Sequence, residues 1–367
     1  MKRWLARLAV VCMAVFIGGL VYLNRERGNP VENFNAFCDV FEKDYALFEA
    51  KQVSWERLCG EYAGRVDGET SDDELFAVFK GLLEKLDDKH CYIYRFNEIY
   101  FSGFGKESHD YVGLLSFDFR EKTDDFSLKL IKRKYLKGKY DRMVRLCSVT
   151  PPAGIRHVVT AGWLSGGIAY IHLTEMPPGY EKMEEAIARF FAAYGDAKGF
   201  VVDIRDNIGG YSLPVKEFAR RFADKKYLYA VSRERDHMGG LKGPEYWTLE
   251  PGPGGNYSGK PIVLLTNQNT QSAAELFTLM MRALPDVIHV GNRTAGVFAD
   301  TRVGKLPNGW EYRLSVRQTN DARDRSLEGR GIMPDVLLRN SRDDIENGRD
   351  RVVEYAMEYL RSAGERL

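Results

Sequence analysis

"PIVLLTNQNTQSAAELFTLMM", Pro261 to Met281, decides the fold. An apolar run, Pro261 to Thr266, breaks into polar residues, and a three- and four-residue periodicity then begins near Ser272, so the stretch reads as a strand feeding a helix. Ser272-Ala-Ala-Glu275 has the form of a capping box, in which a hydroxyl and a glutamate satisfy backbone N–H groups at a helix start. Working outward, the same alternation recurs. "GIAYIHL" (Gly167–Leu173) is a strand, Tyr180–Tyr194 an amphipathic helix, and "GFVVDI" (Gly199–Ile204) a continuously apolar strand, as a parallel strand buried on both faces should be. Leu213–Phe222 is helical, "YLYAVS" and "DVIHVG" are strands, and Asn308-Gly309 marks a hairpin turn inside "KLPNGWEYRLSV". Strands alternating with helices predict an α/β core over residues 166–340, followed by a helical C-terminal segment, 341–367, with one charged amphipathic helix over Asp343–Leu360.

Upstream the pattern differs. Phe34, Phe37, Cys38, Phe41, Tyr45 and Phe48 recur at helical spacing; a second helix carries Trp55, Leu58, Cys59 and Tyr62; a third, opened by Ser71-Asp-Asp-Glu74, carries Leu75, Phe76, Phe79, Leu82, Leu83 and Leu86. Residues 31–94 are therefore expected to form a helical bundle. Residues 95–165 read as a mainly β segment, with strands at "YVGLLSFDF", "FSLKLIKRKYL" and "MVRLCSV". Ahead of both, Lys2, Arg3 and Arg7 precede an uncharged run, Leu8–Leu23, and a polar exit. Residues 1–28 thus predict a signal anchor, or a signal peptide if cleaved, with the basic flank cytoplasmic and the remainder in the cell envelope facing the periplasm or exterior.

The chain has 367 residues, 44% hydrophobic and 29% charged, which suits a globular protein with a sizeable core. Its 53 basic and 52 acidic residues leave a net charge of +1, no footprint for a nucleic-acid partner. No zinc-type Cys/His spacing, P-loop or dinucleotide fingerprint occurs, so no metal or organic cofactor is expected. Cys38 and Cys59 sit on neighbouring predicted helices, where they either pair or serve as small buried apolar residues.

A serine at the tip of a helix, just past a strand, gains from the helix dipole if it is to react. Its oxyanion needs donors. The N–H of Ala273 is one, and "DIRDNIGG" (Asp203–Gly210), with Gly209 and Gly210 ending a loop after a buried strand, supplies others. Of six histidines, His172 and His289 fall in apolar strands and read as packing residues, while His109, His157 and His237 lie in polar stretches. His90, between the bundle and the core and beside Asp87 and Asp88, is the candidate general base.

Taken together, these segments resemble the S41 serine peptidases, the family of tail-specific and C-terminal-processing proteases and of the tricorn protease core. "LLEKLDDKHCYIY" is similar to the family's leucine–aspartate–histidine segment, "VVDIRDNIGG" to its D-x-R-x-N-x-G-G loop, "NTQSAAE" to its serine segment, and "GNRTAG" and "LEGRGIMPD" to its closing segments. The resemblance implies a ClpP/crotonase-like α/β core, a peptide or protein substrate, Ser272 as nucleophile, His90 as base, Glu328 completing the relay, and Gly209, Gly210 and Ala273 around the oxyanion. In the Ser-Lys branch a lysine follows the Gly-x-x-Thr-x-Gly segment; here Val297 follows Gly296, which places the chain nearer the tricorn-type, histidine-using branch. Lys89 stands where tricorn has a serine before its histidine, and no glycine-rich carboxylate-binding loop of a PDZ domain is recognised between His90 and Gly166. Two rival readings follow from the same resemblance: a non-catalytic carrier of apolar ligands or peptides on this fold, and an envelope scaffold with a degenerate site.

Overall fold

The structure, a computed structural model, describes residues 28–96, 98–103, 106–108, 144–149, 156–176, 180–236 and 240–364. The expected N-terminal anchor, the strands expected at Tyr111–Phe119 and Phe126–Leu136, most of the stretch from which a PDZ domain was excluded, and His109 and His237 lie outside these residues. Among the described residues no helix is long and apolar enough to cross a membrane. The chain divides into two compact units: one formed by Met1–Phe117, Glu234–Lys242 and Asp300–Arg317, the other by Asp118–Arg233, Gly243–Ala299 and Gln318–Leu367.

In the first unit α1 (Pro30–Asp44) opens with proline, and Asn29 caps it by accepting the Val31 N–H at 2.8 Å. A short α2 (Phe48–Lys51) leads to α3 (Trp55–Ala63) and α4 (Asp72–Leu86). The aromatic spacing read from the sequence is the bundle core: Phe37 stacks on Phe79 with ring centroids 4.3 Å apart, and Phe41 on Trp55 at 5.2 Å. Cys38 and Cys59 form a disulfide that ties α1 to α3. Ser71 and Glu74 make the expected capping box, the Ser71 N–H reaching Glu74 at 2.9 Å, and α4 stops at Asp87, whose φ of +47° is left-handed. After it come β1 (Tyr92–Arg95), β2 (Glu98–Phe101) and β3 (Lys106–Ser108). These join β12 (Thr301–Lys305) and β13 (Glu311–Ser315) in an antiparallel sheet of order β12-β13-β1-β2-β3. The Asn308-Gly309 turn closes the β12–β13 hairpin with Gly309 at φ +83°.

The second unit is built on seven strands: β4 (Val144–Val149), β5 (Arg156–Leu164), β6 (Ile168–Leu173), β7 (Gly199–Asp203), β10 (Ile262–Thr266), β11 (Val287–Gly291) and β15 (Val336–Leu337). Their order is β15-β11-β10-β7-β6-β5-β4, parallel from β6 to β15 and antiparallel at β5 and β4. Period-two alternation sends Phe200, Val202, Ile262 and Leu264 to one face, with α5 (Tyr180–Tyr194), α6 (Ser212–Arg220) and α7 (Ala273–Arg282), and Val201, Val263 and Leu265 to the other, with α9 (Arg351–Gly364). Both faces are buried, which is why these strands are apolar throughout. A smaller sheet has the order β14-β8-β9, from β8 (Tyr227–Glu234), β9 (Glu245–Leu249) and β14 (Arg317–Asp321).

The single C-terminal helix expected over Asp343–Leu360 is two helices, α8 (Arg342–Glu346) and α9. The break is at Gly348, φ +67°, and it turns Asp350 into the interior of the unit. There Asp350 meets Arg205 at 3.0 Å, and Arg205 in turn meets Asp203 at 2.7 Å, a fully buried ionic triad.

Candidate active site

Ser272 stands between β10 and α7 at φ +57°, a left-handed conformation that costs a non-glycine residue about 1–3 kcal/mol. Backbone hydrogen bonds offset that strain, among them one from the Leu276 N–H to the Ser272 carbonyl at 3.1 Å. The Ser272 N–H reaches the Val297 carbonyl at 2.9 Å and Glu275 Oε2 at 3.2 Å, and the Ser272 carbonyl accepts the Glu275 N–H at 2.8 Å. Ala273 is the first residue of α7, so its N–H has no intrahelical acceptor and points out from the positive end of the helix.

Glu275 is the keystone beneath the serine. It is fully buried and accepts from Thr294 Oγ1 at 2.5 Å, Gly296 N–H at 2.8 Å and Val297 N–H at 2.7 Å besides Ser272. Burial lifts its carboxyl to about 7 against the lowering pull of those donors. One side chain thus pins the Gly291–Val297 segment to the serine turn. Val297 itself is buried, with its carbonyl on Ser272, so the position a lysine base would follow is occupied by packing.

The glycine loop lies against the same turn. A Cβ on Gly209 (φ +92°) would come within 2.8 Å of Ser272 Cβ and 2.9 Å of the Ala273 nitrogen. A Cβ on Gly210 (φ +126°) would collide with the Met176 carbonyl. Both glycines are therefore dictated by close approach as well as by φ. Their N–H groups differ. Gly209 donates to Asn207 Oδ1 at 2.8 Å. Gly210 is bridged in parallel to Met176, with Met176 N–H on the Gly209 carbonyl and Tyr211 N–H on the Met176 carbonyl, a pattern that spends neither bond on the Gly210 N–H. The loop is stitched to the serine segment by the Gln271 N–H on the Asn207 carbonyl at 3.0 Å and by Asp206, which accepts from Asn267 and Asn269 at 3.0 and 2.7 Å. Behind it stand Asp203 and Arg205 of the buried triad. Glu328 also belongs to this unit: its Oε2 accepts the Phe298 N–H at 2.9 Å, one residue past Val297.

In the first unit, His90 follows the left-handed stop of α4. Asp88, fully buried, holds the turn by accepting the His90 N–H at 2.8 Å and the Ser315 hydroxyl at 2.7 Å, while its own N–H is donated to Ser102 Oγ at 3.0 Å. Burial pushes the His90 imidazole down to about 4, with Asp88 opposing and Arg313 and Lys51 reinforcing the shift. The ring is neutral near pH 7, the protonation state a base requires. Asp88 is held below the usual carboxylate range by His90 and Ser315 despite its burial. His172 and His289 are buried in strands, as their sequence context suggests; His289 lies between Thr266 Oγ1 at 2.6 Å and Arg282 at 2.8 Å.

The family model for "Peptidase family S41" matches residues 167–338. The match covers a little under half of the chain, and over those residues the chain is similar to peptidase family S41. The S41 segment contains Gly209, Gly210, Ser272, Ala273 and Glu328, whereas His90 precedes it. Tricorn protease of Thermoplasma acidophilum is 27% identical over 201 residues, covering 53% of this chain and 17% of that protein. A carboxyl-terminal-processing protease of Synechocystis sp. is 24% identical over 173 residues, 47% of this chain and 38% of that protein. The chain therefore spans under two fifths of the length of either relative. Among solved structures, a Parabacteroides merdae protein superposes with a TM-score of 0.72 at 24% identity, covering 91% of this chain and 97% of that one. The photosystem II D1 C-terminal processing protease superposes at 0.53 and 15% identity, covering 85% and 93%. The mixed α/β fold read from the sequence is the fold these structures share.

Sequence reading singled out the serine, the glycines and the histidine but gave Asp88, Glu275 and Asp350 less than their due. Glu275 was legible only as a helix cap. Asp88 was one of two acids beside His90, and nothing local distinguishes the buried one. Asp350 pairs with a residue 145 positions away, beyond the reach of any periodicity.

Proposed function

We propose that the chain is a serine endopeptidase of the S41 type that cleaves peptides or proteins outside the cytoplasm. The observation that carries this is Ser272 itself: a non-glycine residue held at positive φ on a helix tip, with a glycine loop packed against its Cβ. Strain of this kind persists where the surroundings over-determine it, and Glu275, Val297 and Gly209 do so here. In the proposed reaction Ser272 Oγ attacks the scissile carbonyl and His90 takes its proton; the N–H groups of Ala273 and Gly210 hold the oxyanion, with Gly209 shaping the loop through Asn207; His90 then protonates the leaving amine and water resolves the acyl-enzyme. The resemblance to the tricorn-type branch and the neutral ring of His90 support the base assignment, and Glu328 is assigned to orient it. The basic flank and apolar run of residues 1–28 support an envelope location with the peptidase outside the cytoplasm, and the Cys38–Cys59 disulfide is in keeping with an oxidising compartment.

Casein fluorogenic hydrolysis by the full chain tests the reading. Ser272→Ala is expected to reduce turnover by about 10³-fold or more while leaving the melting temperature within a few degrees. Hydrolysis unaffected by Ser272→Ala sinks it, and no hydrolysis by the parent chain with intact ligand or peptide binding favours the carrier reading instead.

A further inference from the structure

A cavity of about 620 Å³ lies within the second unit, apart from the glycine loop and Ser272. Its walls come from β8, the end of α7 and the connection from Asp321 to Met333. Five arginines line it, Arg282, Arg293, Arg323, Arg325 and Arg330, against one acid, Asp321. Two of the five are neutralised: Arg325 by Asp321 at 2.7 Å and Arg282 by Asp335 at 2.8 Å. Among the described residues the guanidinium groups of Arg293, Arg323 and Arg330 have no carboxylate partner: that of Arg293 donates to the Arg330 carbonyl at 3.3 Å, and Arg323 meets Asp321 through its backbone N–H alone, at 2.9 Å. Between the cations the lining is apolar, with Leu279, Leu327, Ile332 and Met333.

Cations gathered in one concavity repel one another and raise the local potential, and a bound anion removes that cost. Guanidinium forks match carboxylates in two-point hydrogen bonds, and the volume falls in the range of pockets that take ligands of a few hundred daltons. The geometry points to a binding site for an acidic peptide segment in which carboxylate side chains alternate with apolar ones, the carboxylates on Arg323 and Arg330 and the apolar groups on Leu327 and Met333. Charge complementarity selects the acids, and the apolar wall selects their neighbours. Leu327 and Arg330 bracket Glu328, whose carboxylate is held from the other side by the Phe298 N–H, so the segment binds on the same connection that carries a proposed relay residue. The site is independent of whether Ser272 reacts.

Fluorescence anisotropy tests this with the full chain carrying Ser272→Ala, which prevents cleavage of the probe. The probe is a fluorescein-labelled, C-terminally amidated hexapeptide of alternating leucine and glutamate; its comparator has glutamine for glutamate. The glutamate peptide is expected to bind at least about tenfold more tightly than the glutamine peptide, and Arg323→Glu/Arg330→Glu to weaken it by about tenfold or more. Both arginines are exposed, so the variant keeps its fold, which a thermal melt checks. Arg57→Glu/Arg342→Glu makes the same charge change at two exposed arginines elsewhere and is expected to bind as the parent does. Equal binding of the two peptides, parent-like binding by the Arg323/Arg330 variant, or an equal loss in the Arg57/Arg342 control overturns the assignment.

Discussion

At the residue scale, a buried carboxylate governs the reactive turn. Glu275 accepts four donors with two oxygens, so Glu275→Gln trades one acceptor for an amide that must face a donor. The expected cost is about 1–3 kcal/mol in urea unfolding, with a fall in hydrolytic rate larger than the stability loss explains because the serine turn and the Gly291–Val297 segment loosen together. Titration gives a second expectation. His90, His172 and His289 are depressed by burial to about 4, 4 and 3 from an unfolded value of 6.5. The unfolded chain therefore binds protons that the folded chain refuses. Stability from these groups is complete above pH 6.5 and is lost as pH falls from there toward 4. Glu275 has the opposite sign: raised from 4.5 to about 7, it contributes stability present below 4.5 and lost as pH rises through 7. Three groups oppose one, so the melting temperature is expected to drop between pH 6.5 and 4; a melting temperature that is flat or rises over that interval contradicts the burial argument.

At the element scale, the legible and illegible parts separate by range. The strands β6, β7, β10 and β11 and helices α5 and α7 follow from local periodicity, since a strand buried on both faces must be apolar throughout and a helix on one face must be amphipathic. The C-terminal segment failed the same test because its break serves a distant partner: Gly348 turns the chain so that Asp350 can cap α9 and reach Arg205 of the glycine loop. That loop is thereby fixed by a segment read from sequence as one charged amphipathic helix. Asp350→Ala removes a buried charge partner and is expected to cost about 3–5 kcal/mol in chemical denaturation. A loss below 1 kcal/mol, the range of an exposed ion pair, would mean that the triad does not anchor the loop.

At the scale of the whole molecule, the α/β class and the likeness to family S41 were legible because the motifs occur in order along the chain, each supplying a residue type its chemistry needs. The pairing of the β12–β13 hairpin with β1 was not, because Tyr92 and Arg313 are register partners more than two hundred residues apart and nothing local selects one antiparallel neighbour over another. The carboxylate under Ser272, the glycine loop at its Cβ and the backbone of Val297 are all gathered by the second unit, while the proposed base is carried by the first. The central claim is thus that Ser272 reacts and that His90 activates it. The most direct measurement is the rate of Ser272 labelling by a fluorophosphonate probe at pH 7 in the full chain and in its His90→Asn variant. The expected result is covalent labelling of the parent at Ser272, slowed by about 10²–10⁴-fold in the variant; labelling of His90→Asn at the parent rate, or a label that persists in Ser272→Ala, contradicts the account.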